Sequence, residues 1–315
     1  MTKILLDTLI PIFAGLLLGY VAGRRGTMDN RNVRNLIVLV MDFAIPCALF
    51  STIIGSSRTS LLQRVPAALM ITLVFCALYL ISYIWARRWR GMSLSDASVL
   101  ALTIGFPNSA AIALPLFRGA YGPESTVTAA LSIVIGSITI SPLTLALLEA
   151  AKHSGGNHVS ATQILRSLPR ALLQPVVWAP LVALFGVFFQ LHVPSFVAGT
   201  LTTMGSAATG SALVLTGLVV SAQSFRFTGG VAITTVLKLV GQPLFAIFVM
   251  LLFRMSHNDM RNITVISAIP GGFFGLVFGK GFDATPEIAS SGLIGTYLFG
   301  WATLALWMLF AAKFF

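Results

Sequence analysis

Four short stretches of this 315-residue chain carry most of the chemistry its composition allows. Gly105-Phe106-Pro107-Asn108-Ser109 and Ala268-Ile269-Pro270-Gly271-Gly272 each place a proline inside a long apolar run. Proline removes a backbone N–H and clashes with the preceding turn, so a helix meeting it kinks or splits. Asn108 and Ser109 suit the start of a second half-helix, because short polar side chains accept hydrogen bonds from exposed N–H groups. Gly271 and Gly272 offer bare backbone that a ligand can approach closely. The N-terminal end of each half-helix carries roughly +0.5 charge. Two such ends predict a site for an anion, such as the carboxylate of an organic acid. The other two stretches hold Asp42 and Lys238, charged residues well inside apolar runs rather than at their ends. Lys238 could neutralise an anionic substrate, titrate during proton coupling, or bind carbonyls left open at a helix break. Asp42 could take a proton or a cation, pair with Lys238, or serve as a satisfied structural carboxylate.

The elements that must position these residues are membrane spans. The chain is 57% hydrophobic and 9% charged, with a mean hydropathy of +0.92. Soluble domains carry roughly 25% charge, so this is an all-α integral membrane protein. Ten apolar segments fall near 4–22, 33–54, 66–86, 96–118, 125–148, 169–189, 197–222, 229–253, 262–280 and 287–312. Each approaches the ~20 residues a spanning helix needs. Pro107 breaks the fourth and Pro270 the ninth, at a depth where lipid cannot satisfy the freed backbone groups. The first segment is expected to stay in the mature protein, since no small-residue cleavage site follows it.

A net charge of +11 would suggest nucleic acid in a soluble protein. Here it reflects the excess of Lys and Arg on cytoplasmic connections. With the N-terminus outside, twelve Lys and Arg residues fall on inner connections and seven on the outer side, Arg58, Arg64 and Arg118 among the latter. Both termini are therefore expected outside the cytoplasm. Cys47 and Cys76 lie in apolar spans without paired spacing and read as packing residues, not a disulfide or metal site.

The two prolines stand 163 positions apart, and the same offset relates Ser93 to Ser256, Asp96 to Asp259, Pro123 to Pro286 and Glu124 to Glu287. Five landmarks in one register indicate a duplicated unit. With five spans in each copy the second must enter the bilayer inverted, a 5+5 inverted-topology repeat with discontinuous helices in matching positions. The first repeat is 1–150, a cytoplasmic linker covers 151–168, and the second repeat is 169–315. The linker's His153 and His158 lack further ligands nearby and read as a solvated loop, so no metal is expected. Gly15, Gly19 and Gly23 form a small-residue stripe that suits close packing within the chain, or secondarily a homodimer seam.

An intramembrane enzyme would need a zinc pair such as H-E-x-x-H or aspartates facing each other. No histidine lies inside a span and Asp42 is the only deep carboxylate, so no enzyme is expected, and no cofactor. The substrate-binding candidates are Asn108, Ser109, Gly271, Gly272 and Lys238. The partners are a small organic anion and the bilayer. An anion channel or a non-transporting organic-acid sensor would be the alternatives to a carrier.

The stretches LIPIFAGLLLGYVAGRRG, DFAIPCALF, GFPNSA, QPVVWAPLVALFGV, LKLVGQPL and AIPGGFFG resemble the auxin efflux carrier family across all ten segments. The chain is most similar to bacterial members described as malonate or other organic-acid transporters, and lacks the long central loop of plant members. The resemblance implies a fold like that of sodium/proton antiporters, with spans four and nine crossing at their breaks. It implies a scaffold of spans one, two, six and seven, and a moving transport domain of spans three to five and eight to ten. Substrate would bind at the crossover, facing span two. The protein is expected in the inner cell membrane, and coupling to H+, to Na+ or to neither stays open. Family patterns map onto Pro107, Asn108 and Pro270. Where some relatives carry a polar amide after the second break, this chain has Gly271-Gly272.

Overall fold

A computed structural model describes residues 2–122, 125–154 and 173–315. Pro123, Glu124 and the linker from residue 155 onward, including His158, lie outside them. The regular elements among the described residues are helices: α1 Thr2–Arg24, α2 Arg34–Ile54, α3 Arg58–Gln63, α4 Val65–Trp89, α5 Leu94–Gly105, α6 109–121 and α7 Thr126–Lys152. There follow α8 Pro175–Phe188, α9 Ser195–Ser221, α10 Gly229–Leu252, α11 His257–Ala268, α12 Phe274–Lys280 and α13 Glu287–Phe314. Among them the one β-type pairing is an isolated antiparallel bridge between Pro107 and Gly271.

Seven helices (α1, α2, α4, α7, α9, α10 and α13) are long and apolar enough to cross a membrane. The other three apolar segments of the sequence are interrupted or shorter. The fourth is divided into α5 and α6 around Pro107, and the ninth into α11 and α12 around Pro270. The sixth is the 14-residue α8, which Pro175 opens in its first turn. Along α10 the large residues Ile233, Val236, Val240, Leu244, Phe248 and Leu251 are exposed, while Lys238 and Gln242 are fully enclosed. An outward apolar face with polar groups turned inward is the pattern of a helix solvated by lipid.

Local chemistry explains where the broken helices start. In α5 the Asp96 N–H donates to the Ser93 hydroxyl (3.0 Å), which donates back to the Asp96 carboxylate (2.9 Å). In α11 the Asp259 N–H donates to Ser256 (3.2 Å), which donates to the Asp259 carboxylate (2.7 Å). Each Ser thus caps an orphan N–H of the first turn, and each carboxylate sits at the positive end of its helix.

Three π turns share a second device. Leu39–Ala44, Ser109–Ala113 and Leu237–Gly241 each end two residues before a proline: Pro46, Pro115 and Pro243. A proline within a helix crowds the carbonyl four residues back and cannot bond to it. A wider turn ahead of it relieves that clash. At Pro243 the carbonyl in question, Leu239 O, instead accepts the Trp307 indole N–H at 2.8 Å.

The chain separates into two compact units that are not sequential. The first contains residues 1–68, 109–134 and 173–222; the second contains 69–108, 135–172 and 223–315. The division runs through the fourth segment at its break and through the fifth within α7. In the first unit α1 packs along α9. A Cβ on Gly19 would lie 2.1 Å from the Val214 carbonyl oxygen, and one on Gly217 would lie 2.0 Å from that of Leu16. The glycine stripe of α1 is therefore buried against α9 of its own chain. Asn30 locks the end of this pair by donating to Gly23 O (3.3 Å) and Ser221 Oγ (2.9 Å). In the second unit α5 packs on α12, α11 and α10 pack on α13, and the start of α5 rests on the second half of α7.

Gly217→Ala should destabilise the first unit by about 1–3 kcal/mol, the usual cost of overpacking. Gly199→Ala and Gly210→Ala, on the same helix with nothing within 4 Å, should be neutral or mildly stabilising. Thermal unfolding of the three variants in detergent checks the ranking.

Candidate functional site

In the second unit, α5 ends at Gly105 and Phe106 turns extended (φ −100°, ψ 110°). Likewise α11 ends at Ala268 and Ile269 turns extended (φ −61°, ψ 137°). Residues before proline are driven to that region by the ring's Cδ, so both breaks leave the helix in the same way. The two extended pieces then pair with each other: Asn108 N–H donates to Pro270 O (2.9 Å) and Gly272 N–H to Phe106 O (2.7 Å). Backbone groups that proline strips from a helix are thereby satisfied by the opposite break. The Phe106 ring stacks on Phe274 at 5.2 Å and contacts Phe75 at 5.9 Å, packing an apolar lid over the pairing.

The glycines have a structural reason at this point. A Cβ on Gly271 would sit 2.5 Å from Thr103 O, and one on Gly272 would sit 2.8 Å from Phe106 O. Only bare backbone permits so close an approach. The expectation that these two amides stand open to a ligand does not match the geometry, because Gly272 N–H is held by Phe106 O and Gly271 N–H by Thr296 Oγ1 (3.2 Å). The open polar chemistry lies in side chains instead. Asn108, fully buried, donates through Nδ2 to the Tyr297 hydroxyl (2.6 Å), which donates to Gly271 O (3.0 Å). Tyr297 is half-buried as a residue, and its hydroxyl links the Asn108 amide to the Gly271 carbonyl.

The opposite ends of the half-helices converge on α10. Lys238, fully buried, donates from Nζ to Gln242 Oε1 and to Ser267 O (3.2 Å). Gln242 Nε2 donates to Gly105 O (3.2 Å). Ser267 and Gly105 lie in the last turns of α11 and α5, where carbonyls lack intrahelical partners and the helix carries roughly −0.5 charge. The Lys238 Nζ and the Gln242 amide, four residues apart on one helix face, therefore cap both C-terminal ends. Of the three roles open to Lys238, this is the geometry of the third, the binding of carbonyls at a break.

The remaining candidates are placed separately. Ser109 opens the π turn that follows the first break and is fully buried, and its hydroxyl has no hydrogen-bond partner among the described residues. Asp42 lies in the π turn of α2, exposed, and belongs to the first unit. The bonds of Lys238 described above go to neutral groups. Among the described residues no cluster of His, Cys, Asp or Glu could hold a metal ion. Tyr297, Thr296 and Gln242 were not singled out from sequence. For Gln242 a signal existed, since it lies one turn after Lys238 in LKLVGQPL. For Tyr297 there was only a phenol amid apolar residues.

Long apolar helices, with buried polar groups gathered at two mutually paired helix breaks, define a multi-pass membrane protein of the transporter class. Residues 4–308 match the family model described as membrane transport protein, and the chain belongs to this family, that of the auxin efflux carriers. It is 27% identical over 311 residues to the "Uncharacterized transporter YfdV" of Escherichia coli strain K12, covering 98% of each chain. It is 26% identical over 309 residues, 96% of each chain, to an "Uncharacterized transporter" of Methanothermobacter thermautotrophicus.

Lys238→Ala would strand Gln242 Oε1 and the Ser267 carbonyl in a closed interior, at about 1–3 kcal/mol for each unsatisfied group. A lower unfolding temperature in detergent is expected, with Gln242→Leu showing a similar fall. An unchanged temperature in both would separate these residues from the helix ends.

Proposed function

We propose that the protein is a secondary carrier of a small organic anion, a malonate-like dicarboxylate or an auxin-like carboxylate, bound at the paired breaks. The observation that carries this is the Asn108–Tyr297–Gly271 chain beside two extended backbones that bond to each other in an apolar interior. A carboxylate arriving there can take over the Asn108 amide donor now directed at Tyr297. Ser109, the next residue along the chain, carries a buried hydroxyl without a hydrogen-bond partner among the described residues. Gly271 and Gly272 contribute by letting the breaks approach, and Lys238 by holding the half-helices in place.

The wider reading is of ten spans in a 5+5 inverted repeat, with spans four and nine crossing at Pro107 and Pro270. It is supported by the matching Ser-x-x-Asp caps, the equal 12-residue lengths of α5 and α11, and the extended residue that ends each. An elevator-type motion requires two bodies. Spans one, two, six and seven fall in the first compact unit and spans eight, nine and ten in the second, while spans four and five are divided between the two. Asp42, exposed in α2, is the candidate carboxylate for a coupled proton or cation. We place the protein in the inner cell membrane with both termini outside.

The test is equilibrium binding and counterflow of labelled malonate and indole-3-acetate, with protein reconstituted in vesicles at two pH values, with and without sodium. Asn108→Ala should weaken binding at least tenfold, about 1.4 kcal/mol. Unaltered affinity in a folded variant would remove Asn108 from the site. Saturable counterflow is expected of a carrier, and single-channel currents would replace that reading with a channel.

A further inference from the structure

The first unit contains a cavity of about 480 Å³ that the crossover reading does not use. Its volume falls within the roughly 300–1,000 Å³ typical of small-molecule sites. Six of its eleven lining residues carry a hydroxyl: Ser51 and Thr52 from α2, Thr126 from α7, and Thr202, Ser206 and Thr209 from α9. Arg118, near the end of α6, is the one charged residue among the described residues of the wall. Gly205 forms part of the wall where α9 meets α2, since a Cβ there would lie 2.8 Å from the backbone of Ala48.

Hydroxyls in membrane proteins commonly bind helix to helix. These do not. Thr52 donates to Ala48 O (2.8 Å), Thr202 to Ala198 O (2.8 Å) and Ser206 to Thr203 O (2.7 Å), each within its own helix. Ser51 Oγ is enclosed and has no hydrogen-bond partner among the described residues. Such a hydroxyl can turn from its own backbone to a ligand at small cost, and an enclosed one without a partner calls for one. Arg118 is exposed and forms no ion pair among the described residues. A guanidinium presents a planar fork of N–H donors that matches a carboxylate in both charge and geometry. Hydroxyls alone would suit a neutral polyol; hydroxyls with an arginine suit an anion.

We propose that this cavity is a carboxylate-binding vestibule, built wholly from first-unit residues, in which Arg118 holds one carboxylate of a small organic anion and the hydroxyls solvate the remainder. Its use in transport rests on the carrier reading above; its binding of anions does not. A positively charged recess of low-dielectric walls raises the local concentration of anions by tenfold or more.

The test reads charge and occupancy at position 206. Ser206→Cys is made with Cys47→Ala and Cys76→Ala and reconstituted in phosphatidylcholine vesicles. Its modification is timed with the anionic ethylsulfonate and the cationic trimethylammonium-ethyl methanethiosulfonates, with and without malonate. Arg118→Gln should lower the anionic-to-cationic rate ratio about tenfold, in line with the concentrating effect of a charged cleft. Arg118→Lys should restore most of it. Malonate should slow modification while Arg118 is present and leave it unchanged in the Arg118→Gln variant. A neutral reagent reacting equally with both proteins shows that the fold is kept. Protection that survives Asn108→Ala supports the vestibule even if malonate is never carried. A rate ratio unmoved by Arg118→Gln, or protection lost with Asn108→Ala but kept with Arg118→Gln, overturns it. Slow modification in phosphatidylglycerol vesicles that malonate does not change assigns Arg118 to a lipid headgroup and overturns it as well.

Discussion

The bilayer interior offers no water, so every backbone group released by a helix break must find its partner in protein. Pro107 and Pro270 release such groups in two places, and the structure meets both by setting the breaks against each other. Asn108 N–H bonds to Pro270 O and Gly272 N–H to Phe106 O, so neither break is satisfied without the other. Much of the second unit follows from that pairing. The glycines after Pro270 exist to allow it, the stacked Phe106 and Phe274 rings cover it, and α10 and α13 supply the side chains that meet what the pairing leaves over.

Those leftovers differ at the two poles of the half-helices, and the difference organises the chemistry. At the C-terminal pole the carbonyls are negative in sum, and the buried Lys238 answers them with Gln242 as an extension of its reach. Beside the paired breaks the side chains are neutral: the Asn108 amide, the Tyr297 phenol and the Thr296 hydroxyl. The cost of burying the Lys238 Nζ is thus offset by carbonyls that would otherwise be orphaned.

Much of this was legible in the residue pattern, for physical reasons that are local. The Ser-x-x-Asp caps act over three residues, so Ser93 and Ser256 announce the starts of α5 and α11 without tertiary help. The two prolines announce their ends for the same reason. Pro46, Pro115 and Pro243 also marked the π turns, though only after the turns were seen did their common spacing become a signal. Gly271 and Gly272 misled. A glycine pair after a helix break can serve a ligand or another backbone, and nothing within the segment distinguishes the two. The same holds for the stripe of Gly15, Gly19 and Gly23, which suits a partner chain as well as α9.

By itself, then, the sequence determined that this is a multi-span helical membrane protein, where its helices break, and which few polar residues could matter, because hydropathy, caps and proline sterics act within a turn or two. The tertiary structure decided what those residues touch. Lys238 reaches Ser267, 29 residues away, and Asn108 reaches Tyr297, 189 away. A hydroxyl-lined cavity assembled from α2, α6, α7 and α9 has no sequence signature at all. Hydrogen bonds are set by distances of about 3 Å, and only the folded chain brings residues so far apart in sequence within that range.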